Sequence, residues 1–283
     1  LEEFGPTRVK DTPISEQAIL GAAMGASMVG LKPIAEIMFS DFLAVCWDIV
    51  ANEIAKTRYM SNGQITLPLV IRTANGAGSK FGAQHSQSLE NWSMAVPGLK
   101  VVAPSNPSDV IGLMTAAVAD PDPVIFYEHK SLYPMKEDIE NTDLFINLGE
   151  ANIMLQGNDA CIISLGLMAQ RSKEAALILK EKYNIAVSVV DLRTLVPLDL
   201  QTIIREVKKS GLVFTVEENP RLCGWGAEVS SIIVEKLFHN LKGPIIRITT
   251  PHIPLPSADI LEDNTIPTVQ RIVDTILDTI KKG

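Results

Sequence analysis

Cysteine is scarce in this sequence: Cys46, Cys161 and Cys223 are the only three among 283 residues, and none belongs to a CxxC pair. That spacing excludes a disulfide framework and a cysteine-based zinc site, and it fits a reducing cytoplasmic compartment. No apolar run approaches the roughly 20 residues that span a bilayer, and no signal-type opening is present. A soluble protein without a membrane partner is the expectation. Basic stripes are also missing: 25 Lys and Arg stand against 33 Asp and Glu, for a formal net charge of -8. Nucleic-acid phosphate is an improbable partner for such a surface, whereas a basic protein module is not. The chain opens at Leu1 without an initiator methionine, so a missing or cleaved front segment is expected. No solenoid-period repeat or low-complexity tract occurs.

What the chain does have is oil and alternation. Its composition is 46% hydrophobic and 20% charged, rich for a monomer, and an oligomer is expected. At this length two domains are the default. Helix-length and strand-length patterns alternate: helices near 15–29, 41–60, 86–95 and 107–119, strands near 33–39, 67–73, 99–103 and 123–128. Runs such as Leu67-Pro68-Leu69-Val70-Ile71 are almost continuously apolar, as parallel strands covered on both faces should be. Polar residues 136–147 form a linker, and the pattern restarts with strands near 160–165, 185–190, 211–217 and 245–249. Helices near 167–183, 199–209, 225–239 and 267–281 separate or follow them. The fold class is α/β, with two doubly wound domains over 1–140 and 148–283.

Asp11-Thr12-Pro13-Ile14-Ser15-Glu16 is the most informative stretch. It sets Glu16 at the entry of a helix of small and apolar residues, with Ser15 as cap and Gly30 as stop, and a helix so poor in charge should be buried. The helix dipole favours the anion of Glu16 while exclusion of water favours its acid, a competition an enzyme can use; a dipole-complementing acid in a wet position is the plainer alternative. The loop Asn75–Gln87 is glycine-rich and lies between a strand and a helix, where open α/β sheets bind ligands. It carries neither a dinucleotide fingerprint nor a phosphate-loop ending. His85, among Gln84, Ser86 and Gln87, fits a catalytic histidine and a structural surface one equally. Met38 and Phe42 flank a strand-to-helix junction and could wall an aromatic-ring pocket, against the alternative of core packing. Glu36 and Asp41 form an acidic pair in which Asp41 fits a helix cap. Glu128-His129-Lys130 fits an interface better than a site. Gly157-Asn158-Asp159 fits a hairpin turn. Val216-Glu217-Glu218-Asn219-Pro220 meets Gly224-Trp225-Gly226 in what resembles a sheet-edge crevice, but without a second polar cluster nearby it reads as interface or structure.

These segments resemble, in order and over nearly the whole chain, the beta subunit of the thiamine-diphosphate-dependent component of 2-oxo acid dehydrogenase complexes. The resemblance rests on Asp11–Glu16, Lys32–Met38, Ala83–Gln87, Pro97–Val102 and Leu261–Asn264; Ser40–Leu43 with Cys46, and Tyr127–Lys130, look closest to acetoin dehydrogenase beta subunits, with pyruvate dehydrogenase close behind. It implies a pyrimidine-binding domain of a thiamine enzyme followed by a transketolase C-terminal-like domain. It further implies that Glu16 hydrogen-bonds the aminopyrimidine of thiamine diphosphate and promotes its imino tautomer, that Phe42 stacks on that ring with Met38 beside it, and that His85 faces the reacting carbon and the incoming lipoyl group. The family holds magnesium and diphosphate through a Gly-Asp-Gly segment, and no such segment occurs here. By the resemblance, an alpha subunit brings the magnesium in an α2β2 assembly, and no metal ligand is expected on this chain. A structural potassium ion on backbone carbonyls is compatible with it. The second domain would serve dimer contact and docking of the lipoyl-bearing acyltransferase core, with Asp259, Glu262 and Asp263 as candidate contacts. A transketolase-like half acting on sugars is the alternative, weakened because only Arg72 and Lys80 offer cations for phosphate. A noncatalytic docking scaffold is the other.

Overall fold

A computed structural model describes residues 1–282 of the chain, arranged around two five-stranded sheets. A short helix α1 (Gly5–Arg8) precedes α2 (Glu16–Met28) and strand β1 (Ile34–Phe39). The chain then passes through a tight 3-10 stretch at Ser40–Cys46, a wider π turn at Ile49–Ile54 and α3 (Thr57–Met60) before β2 (Val70–Asn75). α4 (Glu90–Met94), β3 (Lys100–Val102), α5 (Pro107–Ala119) and β4 (Val124–His129) complete the first half. The second half runs β5 (Asn152–Leu155), β6 (Ala160–Ser164), α6 (Leu167–Tyr183), β7 (Val187–Asp191), β8 (Thr194–Val196), α7 (Leu200–Ser210), β9 (Val213–Pro220), α8 (Trp225–Leu237), β10 (Ile246–Thr250), α9 (Asp259–Thr265) and α10 (Val269–Lys282).

The sheet orders are β1-β2-β4-β3-β8 and β10-β9-β6-β7-β5. Pairing is parallel throughout except at the edge strands β8 and β5. Every residue of β4, β6 and β7 is buried, as the apolar runs require. Phe126 and Tyr127 on β4 and Phe214 on β9 have at most 1% exposure, and a fully buried side chain of this size contributes about 1.5–3 kcal/mol.

The structure departs from the sequence pattern at three places. The helix expected over 41–60 is broken into three short turns, because Asp41 is drawn to Gln87 rather than capping a helix, and β-branched Val45, Ile49 and Val50 resist regular helix. Strands β5 and β8 were not anticipated; at four and three residues they carry too little period to read. β8 belongs to the second half by sequence yet pairs with β3 of the first sheet, so the halves share a sheet edge. Nor is Gly157–Asp159 a hairpin turn, since β5 and β6 do not pair. Gly157 instead lies where a Cβ would stand 2.4 Å from the Ala186 carbonyl, and the Ala186 amide donates to Asp159 Oδ2 at 2.6 Å, locking the turn onto the start of β7.

One apolar core runs through both halves, joining Ile71, Val101 and Tyr127 to Cys161, Ile163 and Trp225. Polar contacts stitch the same seam. Asp109 pairs with Arg193, Ser105 donates to Asp191, and Gln170 donates to the Ser105 carbonyl at 2.8 Å. No helix among the described residues is long and apolar enough to cross a membrane.

Candidate active site

Glu16 begins α2, in the first turn where the dipole favours an anion. Ser15 holds the N-cap position without a side-chain hydrogen bond, and Gly30 at φ +94° terminates the segment. The expectation of a buried helix needs correction: only Leu20, Ala23 and Ser27 are buried. The outward side stays open, and Ile14 just before Glu16 is 95% exposed. Glu16 itself is half-buried. Its inner side packs on β1 and the 40–46 turn. There the Cys46 thiol is pushed up to about 11, by burial first and then by the Glu16 carboxylate. The same thiol donates to the Phe42 carbonyl at 3.5 Å, so the turn that carries Phe42 packs against the helix that Glu16 begins.

Phe42 meets His85 at 5.3 Å between ring centroids, edge to face. Both are half-buried. Phe39 lies 5.1 Å from His85 and 5.8 Å from Phe81, which closes an aromatic group around the histidine. Met38 is not core: it lies on the open face of edge strand β1, 64% exposed. The structure thus joins Phe42 and His85 directly and sets Glu16 and Met38 on adjoining elements.

The loop that carries His85 is anchored along its length. Gln87 donates to Asp41 Oδ1 through its side-chain amide at 2.9 Å, and Lys130 donates to the His85 carbonyl. Lys130 Nζ also stands 5.1 Å over the Phe39 ring. Burial lowers the Lys130 pKa, and Asp41, Glu218 and Glu262 around it oppose that shift. Glu128-His129-Lys130 therefore divides its duties. Glu128 takes a two-bond fork from Arg72 at 2.7 and 2.9 Å, His129 turns to the second domain, and Lys130 turns to His85.

Glu36 and Asp41 do not act together; Glu36 accepts from Arg72 at 3.0 Å. Lys80 reaches α9, where it pairs with Asp263 and lies 3.0 Å from Glu262. Both cations considered for phosphate are thus engaged by carboxylates. Glu262 is itself fully buried beneath Lys80, which removes it from the candidate docking contacts because a partner surface cannot reach it. Asp259 and Asp263 remain exposed.

Phe39 escaped the sequence reading, Phe81 was read there only as part of the glycine-rich loop, and Lys130 and Glu218 only as interface or structure. Phe39 had a faint signal, as the last residue of an alternating strand. For Glu218 no signal pointed to its partner loop, which lies more than a hundred positions away. The reading that Glu217–Asn219 lacked a polar neighbour also fails. Asn219 donates to Glu90 Oε2 at 3.0 Å and to the Ser88 carbonyl at 2.9 Å, and Asn75 donates to Glu90 Oε1 at 2.7 Å. Burial raises the Glu90 pKa.

Two parallel-rich sheets, a buried polar seam and an aromatic group at one sheet edge mark a two-domain α/β protein. Residues 1–136 match the family model "Transketolase, pyrimidine binding domain" and residues 149–272 match "Transketolase, C-terminal domain". A solved chain described as "Split gene transketolase, inactive beta4 tetramer" superposes with a TM-score of 0.82 over 99% of this chain and 86% of that one. At 23% identity that likeness concerns the fold. The acetoin:2,6-dichlorophenolindophenol oxidoreductase subunit beta of Bacillus subtilis (strain 168) is 44% identical over 281 residues, covering 99% of this chain and 82% of its own. The pyruvate dehydrogenase E1 component subunit beta of Rickettsia felis is 41% identical over 276 residues, covering 98% and 84%. The chain belongs to this family of acetoin and pyruvate dehydrogenase beta subunits.

Proposed function

We propose that the chain is the pyrimidine-side half of a thiamine-diphosphate-dependent acetoin or 2-oxo acid dehydrogenase, active with an alpha subunit in an α2β2 assembly and acylating lipoyl groups reductively. The observation that carries this reading, beside the family match, is the uncovered wall next to Glu16: Ile14 is 95% and Met38 64% exposed, while Phe42 presents a half-buried ring. A flat heterocycle needs an apolar wall and one carboxylate at its edge, and these residues fit that demand. Unpaired edge strand β1 and exposed Val29, Leu31 and Ile34 extend the apolar surface toward a second chain.

When bound, thiamine diphosphate supplies the electron sink for the substrate's carbanion. Glu16 would hold a proton at the edge of the pyrimidine ring, within reach of a ring nitrogen. Phe42 and Met38 would wall that ring and exclude water from its face, which would strengthen a Glu16 hydrogen bond to it. His85, steadied by Phe39, Phe42 and Lys130, would exchange a proton with the substrate and the incoming lipoyl sulfur. The alpha subunit supplies magnesium and diphosphate contacts. A structural potassium ion and docking of the acyltransferase core near Asp259 and Asp263 belong to the same reading, as do a cytoplasmic setting and domains over 1–140 and 148–283.

Co-expression with a candidate alpha subunit, followed by assay with acetoin, pyruvate and branched-chain 2-oxo acids, tests it. Turnover should require both chains and thiamine diphosphate with magnesium. Equal turnover by the isolated chain, or none in any mixture, would reject the reading.

A further inference from the structure

Within segment 76–87 the backbone closes on itself at two places, where the Gly76 amide donates to the Gln87 carbonyl at 3.0 Å and the His85 amide to the Gly82 carbonyl at 3.3 Å, and the rest leans on neighbours. Gly76, Gly78 and Gly82 all have positive φ, at +84°, +98° and +75°, and Lys80 takes the left-handed region without being glycine. Such backbone is flexible or strained unless neighbours fix it. Its entrance is fixed by a residue of the other domain. Glu218 Oε1 accepts the Ala77 amide at 2.6 Å and the Ser88 hydroxyl at 2.9 Å, so one carboxylate oxygen grips both ends of the loop.

The other oxygen is held in turn. His129 Nδ1 accepts the Ser131 amide at 3.2 Å, which leaves Nε2 as the nitrogen that donates to Glu218 Oε2 at 2.9 Å. Gly76 makes room for this pair, since a Cβ there would stand 2.2 Å from His129 Nε2 and 2.9 Å from Glu218 Oε1. Ser131 returns a hydrogen bond to the Ala77 carbonyl at 3.1 Å. Glu218 and His129 are both more than nine-tenths buried. A buried charge with this many donors is placed, not merely tolerated.

We propose that Glu218 is a positioning residue for His85: the second domain sets the loop geometry that presents the histidine beside Phe42. Resting on the active-site reading of His85, the idea adds a catalytic duty to a domain otherwise assigned to contact and docking. Lys80 on α9 and Lys130 on the His85 carbonyl hold the middle and far end of the loop. Neither touches the entrance.

The test uses the full chain, alone and with its alpha subunit, carrying Glu218→Ala or Glu218→Gln. Glu218→Ala removes every acceptor; Glu218→Gln keeps an oxygen for Ala77 and Ser88 but turns a donor toward His129. Amide exchange of residues 76–88 should rise about tenfold in Glu218→Ala and by less in Glu218→Gln, with strands β6 and β7 unchanged. In the assembled enzyme kcat should fall about tenfold in Glu218→Ala, with thiamine diphosphate affinity within about twofold of the parent. Parent-like loop exchange and kcat in either folded variant would overturn the proposal. So would a uniform rise across both sheets, which marks a general stability role. Loop loosening without turnover in any parent mixture would support the anchorage and count instead against the dehydrogenase reading. If Glu218→Ala does not fold, Glu218→Gln decides by the same two readouts.

Discussion

At the seam between the domains, Glu90, Glu218 and His129 each find hydrogen-bond partners inside the chain. On and beside α2 and β1 the apolar side chains of Ile14, Val29, Leu31 and Met38 stand exposed. The first region is polar, dry and self-sufficient; the second is apolar and open beside a carboxylate. A chain that stood alone would gain by the opposite arrangement, because exposed apolar surface is left unburied and internal charge must be desolvated. The difference indicates which region the chain finishes and which is left for a partner and a cofactor. Changes at the open face should therefore alter activity and spare the fold, whereas changes at the seam should loosen the chain around them and reach activity only where, as at Glu218, they hold the His85 loop.

The largest effect is expected at the open face. Glu16→Gln should lower kcat by ~10²-fold or more while the melting temperature of the chain barely moves, since general acid–base groups commonly contribute 10² or more. Circular dichroism melts beside steady-state kinetics check both halves of that statement. Gly76→Ala attacks the seam. Its methyl would meet His129 at the positive φ noted above, and a loss of about 3 kcal/mol is expected in urea unfolding. Glu90→Gln should cost about 2 kcal/mol, because its amide nitrogen would face a donor from Asn75 or Asn219.

A smaller effect depends on pH. Asp191 is buried against Ser105, and burial, with nearby Asp109, pushes its carboxyl up to about 7 from 3.8. A raised acid favours the folded state while protonated: the contribution is full below 3.8 and is lost as pH rises through about 7. Asp191→Asn should remove that slope, so urea midpoints at several pH values should show the variant gaining on the parent as pH approaches neutrality.

The doubly wound fold was legible in the sequence because its strands are apolar runs bounded by turn residues, as at Leu67–Ile71 and Val124–Tyr127. Glu16, Met38, Phe42 and His85 were legible one by one, through motifs on local elements. The seam was not. Glu218 meets Ala77 across 141 positions, and no periodicity in one strand announces a partner in another domain. β8 was hidden for a related reason, as a three-residue strand whose place is set by the sheet it completes. The helix over 41–60 failed because Asp41 serves the His85 loop instead of the helix, a tertiary demand that local propensity does not register.

Hydrogen exchange measured on the chain alone and after assembly with an alpha subunit and thiamine diphosphate tests the central contrast most directly. Segments 14–45 should gain protection on assembly while 213–220 stay as they were. Unchanged exchange over 14–45 in a mixture that turns over substrate would contradict the account.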